Sequence, residues 1–188
     1  MEQQMILVFR RTGEKRYAVE ALRKGLPVVE MNPAPGYDQL MPHDMMHLVV
    51  EAQLGLTRGI FGQLAVGGTA GTFRLSVRGD QSSRETTRAR KRVTKRGQRL
   101  LKNGRDDCTQ SERAAWICWQ EWRARSSSRP TSKKVQNTAG VTDLGIKQSK
   151  LDEICKHLDE LSSHWSRLYI GESVAVSWPD LAIVKSGR

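Results

Sequence analysis

The stretch MILVFRRTGEKRYAVEALRKGLPVVEM, residues 5–31, decides the fold class. Met5 to Phe9 is a short apolar run, and Thr12-Gly13-Glu14-Lys15 carries turn residues. Tyr17, Val19 and Ala21 then alternate with Ala18, Glu20 and Leu22, the period of a half-buried strand. Arg23-Lys24-Gly25 makes another turn. Leu26 to Met31 reads as a third strand, with Pro27 pushing it toward a strand start or an edge. Links this short predict an antiparallel meander.

Beyond a loop at Asn32–Gly36, the pattern turns helical. Pro42 suits a first helical position and Gly55 a stop, so a helix is predicted over Pro42–Leu54. A second helix is predicted over Arg58–Val66, with Gly59 and Gly62 allowing close packing. Capping-box pairs at Ser82/Glu85, Thr109/Glu112 and Ser149/Asp152 predict three further helix starts. In the last of these helices Leu151, Ile154, Cys155, Leu158, Leu161, Trp165 and Leu168 share one arc. Val174, Val176 and Trp178 alternate as a final strand able to rejoin the meander. The expected fold is α+β: a small antiparallel β-meander plus a C-terminal strand, packed against several helices.

One domain accommodates 188 residues. Its segments read as the meander and first helices (1–77), a basic helical segment (78–107), a Trp-rich helix (108–124), a linker rich in Ser, Lys, Pro and Gly (125–147), and an amphipathic helix with the final strand (148–180). Cys108, Cys118 and Cys155 are odd in number and form no C-x-x-C pair, which argues against a disulfide framework or a zinc knuckle. Free thiols, the absence of a signal-peptide pattern and the lack of an 18-residue apolar run predict a cytoplasmic protein that does not enter membranes.

The helix at 42–54 carries the chemistry. Met45, Met46, Leu48, Val49, Val50, Ala52 and Leu54 cover most of its circumference. His43, Asp44, His47 and Glu51 crowd into the remaining arc, roughly 100° wide. Two histidines at i and i+4 sit one turn apart and can reach one metal ion, zinc or another divalent cation. The string His43-Asp44-Met45-Met46-His47 resembles the H-E-x-x-H motif of zinc proteases with aspartate for glutamate. That resemblance implies His43 and His47 as ligands and Asp44 as general base. Glu51, one turn beyond His47, suits orienting it. A catalytic zinc needs a third protein ligand, for which His157 and His164 are available. The structural alternative is that these are satisfied core and boundary groups, with Asp44 meeting the helix dipole.

Pro42-His43-Asp44-Met45-Met46-His47-Leu48-Val49-Val50-Glu51, then Leu54-Gly55-Leu56 and Phe61-Gly62 through Gly67, also resembles a family of uncharacterised bacterial proteins marked by P-H-D-x-x-H-x-x-V-E, L-G-L and F-G-x-L-A-x-G. The likeness covers about residues 5–68 and Ser177-Trp178-Pro179. It implies a shared fold and no particular activity.

The net charge is +11, and +9 of it lies between Arg78 and Arg105. Arg84, Arg88, Lys91, Arg92, Lys95, Arg99 and Lys102 recur at helical spacing. They predict a cationic ridge that nucleic-acid phosphates would seek, with Trp116, Trp119 or Trp122 available for stacking. No finger, RNP string or helix-turn-helix accompanies it. Three classes of function follow: a metal-binding, hydrolytic protein; a basic nucleic-acid-binding module; and a structural or interaction protein without catalysis.

Overall fold

A computed structural model describes residues 5–76, 83–125 and 144–184, except for the side chains of 83–86, 89 and 90. Strands β1 (Met5–Gly13), β2 (Arg16–Arg23) and β3 (Val29–Ala34) form the meander. Helices α1 (His43–Leu54) and α2 (Ile60–Ala65) follow, then the short strand β4 (Arg74–Leu75). Next come α3 (Ser83–Asn103), α4 (Arg105–Ala124) and α5 (Gln148–Trp165). Strands β5 (Ser173–Trp178) and β6 (Ile183–Val184) end the described chain. The expected linker lies mostly at 126–143, outside the described residues.

The strands form one antiparallel six-stranded sheet in the order β4-β3-β2-β1-β5-β6. The fold is α+β as the pattern implied, and the C-terminal strand does return to the meander. β5 pairs with β1 from Met5↔Trp178 to Arg10↔Ser173. β1 therefore sits between β2 and β5 and alternates as an amphipathic strand should, with Met5, Leu7 and Phe9 fully buried.

Two details depart from the sequence reading. β3 begins at Val29 rather than Leu26, because residues 23–27 are used by a turn: Leu26 N–H donates to Arg23 O, and the Arg23 guanidinium donates to Pro27 O. β2 is not half-buried, since Tyr17, Ala18, Val19, Glu20 and Ala21 are all buried. Ala18 and Glu20 are covered on the face opposite Tyr17, Val19 and Ala21, which period alone does not report.

Helices α1, α4 and α5 pack against one another, and α1 lies in the core between them. Met45, Leu48 and Val49 have no exposed surface, so truncating Met45 or Leu48 to alanine costs about 2–5 kcal/mol. α1 ends at Gly55, whose left-handed φ of 67° lets Gly55 and Leu56 N–H donate back to Ala52 O and Glu51 O. Trp122 and Trp165 are the largest fully buried side chains. Their indole N–H groups reach Asp159 Oδ1 at 2.8 Å and Asp38 O at 3.1 Å.

Neither described capping box forms. α4 starts two residues after Asn103, with Gly104 as its cap, and Thr109 Oγ donates back to Arg105 O. α5 is capped by Lys147 without a side-chain bond, and Asp152 accepts from Gln148 and Arg125 instead. The Ser82/Glu85 pair lies outside the described side chains. Gly97 is where α3 crosses the 67–72 loop. A Cβ there would stand 2.5 Å from Thr69 Oγ.

Candidate metal centre

α1 turns His43, His47 and Glu51 toward α4, and the site is assembled from both helices. His43 and His47 stack edge to face with ring centroids 4.5 Å apart. Glu112 of α4 completes a group with them: one ligand atom from each of His43, His47 and Glu112 lies within 4.8 Å of the others. The His47 ring is the floor of the site, 1% exposed, while His43 and Glu112 are exposed at its mouth. His47 Nε2 is buried with no hydrogen-bond partner, and the closest acid oxygen, Glu112 Oε2, is 3.7 Å away. That is too long for a hydrogen bond. It is a separation that an ion between the two groups would bridge.

The other face of the His47 ring is tied down. Nδ1 lies 2.8 Å from Ser111 Oγ, and Ser111 donates to Glu51 Oε1 at 2.9 Å. Glu51 also receives Ile60 N–H on Oε1 and Phe61 N–H on Oε2, both at 2.9 Å. A hydroxyl has one proton. With Glu51 ionised, Ser111 spends that proton on Glu51 and must accept from His47 Nδ1–H. The tautomer is then set: Nδ1 carries the hydrogen and Nε2 a bare lone pair aimed at His43 and Glu112.

Burial holds His47 neutral, as this state requires, and works against the charge on Glu51. Burial, with His43 adding to it, lowers the His47 pKa from 6.5 to about 4, so the ring is neutral at pH 7. Burial raises the Glu51 pKa from 4.5 to about 7, against the opposing pull of its hydrogen bonds from Phe61, Ile60 and Ser111. Two glycines make room for the arrangement. A Cβ on Gly59 would stand 2.4 Å from the Glu51 carboxyl carbon. Gly36 has φ of 73°, and a Cβ there would meet His43 Cβ at 2.7 Å.

Asp44 lies apart from the three gathered donors. It is 7% exposed, and its Oδ2 accepts from the Tyr17 hydroxyl of β2, which also faces Pro35 O. Burial raises the Asp44 pKa, while the Tyr17 bond and His43 pull it down. His157 is half-buried and His164 exposed on α5. The structure brings neither into a cluster of three potential ligands among the described residues. The third donor is instead Glu112, whose apparent role in a capping box concealed it. Ser111 carried no signal of its own.

A cleft of about 870 Å³ lies elsewhere, between α3, the 69–75 segment and β3, and none of the three donors lines it. Of the stacking candidates, Trp116 is 63% exposed, Trp119 is partly buried against Trp122, and Trp122 is buried. Among the described residues no helix is long and apolar enough to cross a membrane. The three cysteines are free, and Cys118 and Cys155 are buried. The chain matches no known protein family, no curated protein and no solved structure.

Proposed function

We propose that this protein binds one divalent transition-metal ion, of the zinc class, through His43, His47 and Glu112. The observation that carries the reading is the buried, partnerless Nε2 of His47. An unsatisfied polar atom in a protein interior costs about 1–3 kcal/mol, and a metal ion is the partner that its neighbours could hold. Two imidazoles and a carboxylate suit zinc. The His47–Ser111–Glu51 chain has the form of the outer-shell support that orients metal-bound histidines.

Three protein donors leave a coordination position open, as in catalytic rather than structural zinc sites. An ion held there would act as a Lewis acid and lower the pKa of a bound water. This supports the hydrolytic reading, with Asp44 as the base. Its raised pKa favours that role, and the Tyr17 hydroxyl already on Oδ2 weighs against it. Proteins sharing the P-H-D-x-x-H-x-x-V-E motif would carry both imidazoles and Glu51 in the same places.

The test is metal content of untagged protein by plasma mass spectrometry, followed by Co²⁺ titration of the stripped protein. About one equivalent of metal and tetrahedral visible bands are expected, both lost in His47→Ala and weakened in Glu112→Gln. A stripped protein that takes up Co²⁺ equally well with and without His47 would end the reading.

A further inference from the structure

We propose that the outward face of α3 is a binding surface for the phosphate backbone of a nucleic acid. This face lies apart from the metal site on α1 and α4. Taken at about 100° per residue, Arg84, Arg88, Lys91, Arg92, Lys95, Arg99 and Lys102 fall within one arc about 100° wide. No other residue of Ser83–Asn103 falls in that arc. The described members, Arg88 to Lys102, are all exposed. None forms an ion pair with a described acid.

The opposite face is used for docking. A Cβ on Gly97 would stand 2.5 Å from Thr69 Oγ, and Gly68 and Gly71 sit against the side chains of Leu100 and Leu101. α3 is thus held by one side on the 67–72 loop and shows a straight cationic row to solvent. From Arg88 to Lys102 the row runs about 21 Å. That is the length of about six base steps on one strand of duplex DNA.

A face kept for solubility would intersperse acids with bases. This one has none from Thr86 to Asn103. The like-charged pairs Arg88/Arg92, Lys91/Lys95 and Lys95/Arg99, each at i,i+4, work against the helix until a polyanion neutralises them. The chemistry selects among polyanions. A lipid surface takes up a helix through a free apolar face, whereas Gly97 and Leu100 of α3 are turned onto the protein. A protein partner needs an apolar or aromatic centre to its interface, and the arc contains only Lys and Arg. Phosphates require only the charges. Nothing in the row reads bases, so the binding is indifferent to sequence.

The test is anisotropy of a labelled duplex of about 20 bp and of the matching single strand, with chelator present so that the metal site plays no part. Affinity should fall about 10²–10³-fold between roughly 50 and 200 mM salt, the dependence expected when a few phosphates are neutralised. Lys95→Gln/Arg99→Gln should flatten the log–log slope by about 2, whereas Lys95→Arg/Arg99→Lys should restore it. Helicity by circular dichroism and Co²⁺ uptake should be the same in all three proteins. A slope untouched by the glutamine pair would overturn the proposal. So would tighter binding to phosphatidylserine vesicles or to polyglutamate than to nucleic acid at equal salt.

Discussion

Removing the charge of Glu51 should tilt the pH dependence of stability in one direction, and removing His47 should tilt it in the other. In metal-free protein the Glu51 carboxyl titrates at about 7 when folded against 4.5 as its ordinary value. A raised acid contributes stability in full below about 4.5 and loses it as pH climbs through 7. The difference of 2.5 pH units corresponds to about 3 kcal/mol. His47 titrates at about 4 when folded against 6.5. A depressed base contributes stability above 6.5 and loses it as pH falls through 4, again by about 3 kcal/mol. Both side chains are essentially sealed from solvent, at 0% and 1% exposed. Between pH 4.5 and 6.5 the two slopes cancel in the wild type.

Glu51→Gln abolishes one slope. Its amide must also face a backbone N–H, a pH-independent cost of about 1–3 kcal/mol. Relative to wild type, Glu51→Gln should therefore gain about 3 kcal/mol between pH 4.5 and 7. His47→Gln should lose about as much between pH 4 and 6.5. Equilibrium urea unfolding with chelator at several pH values reads both, taking differences from wild type so that other titrating groups drop out. Parallel stability–pH curves for the three proteins would refute the assignment of these shifts to this pair.

Two further substitutions probe the support of the site. Ser111→Ala strands His47 Nδ1–H, so it should cost about 1–3 kcal/mol in urea unfolding. It should also weaken Co²⁺ binding about 10–100-fold; unchanged affinity would show that the serine does not orient the ring. Gly59→Ala has an ordinary φ of −66° but would press its methyl into the Glu51 carboxylate. A loss of about 1–3 kcal/mol is expected by thermal or urea unfolding, and a neutral result would mean that Glu51 can retreat without loss.

The meander was legible because three closely spaced apolar runs with Gly-containing turns leave few alternatives to local antiparallel pairing. The pairing of β5 with β1 was legible only as an option, since period-two alternation marks a strand but not its neighbour. Element edges moved where side chains intervened, as Arg23 does at Pro27. For the site, the i,i+4 histidines were plain in the sequence because both lie on one helix. Glu112 was misread as half of a capping box, although S/T-x-x-E is a local signal that says nothing about which helix lies opposite.

What the sequence determined by itself is whatever one helix or hairpin carries internally: the turns, the polar stripe on α1 and the cationic arc on α3. The tertiary structure alone decided which groups face that stripe. Crossing α4 over α1 sets Ser111 against one nitrogen of His47 and Glu112 beside the other. The physical reason is that ligand geometry depends on side chains separated by about sixty residues of chain. Their proximity is a product of core packing and not of any local spacing.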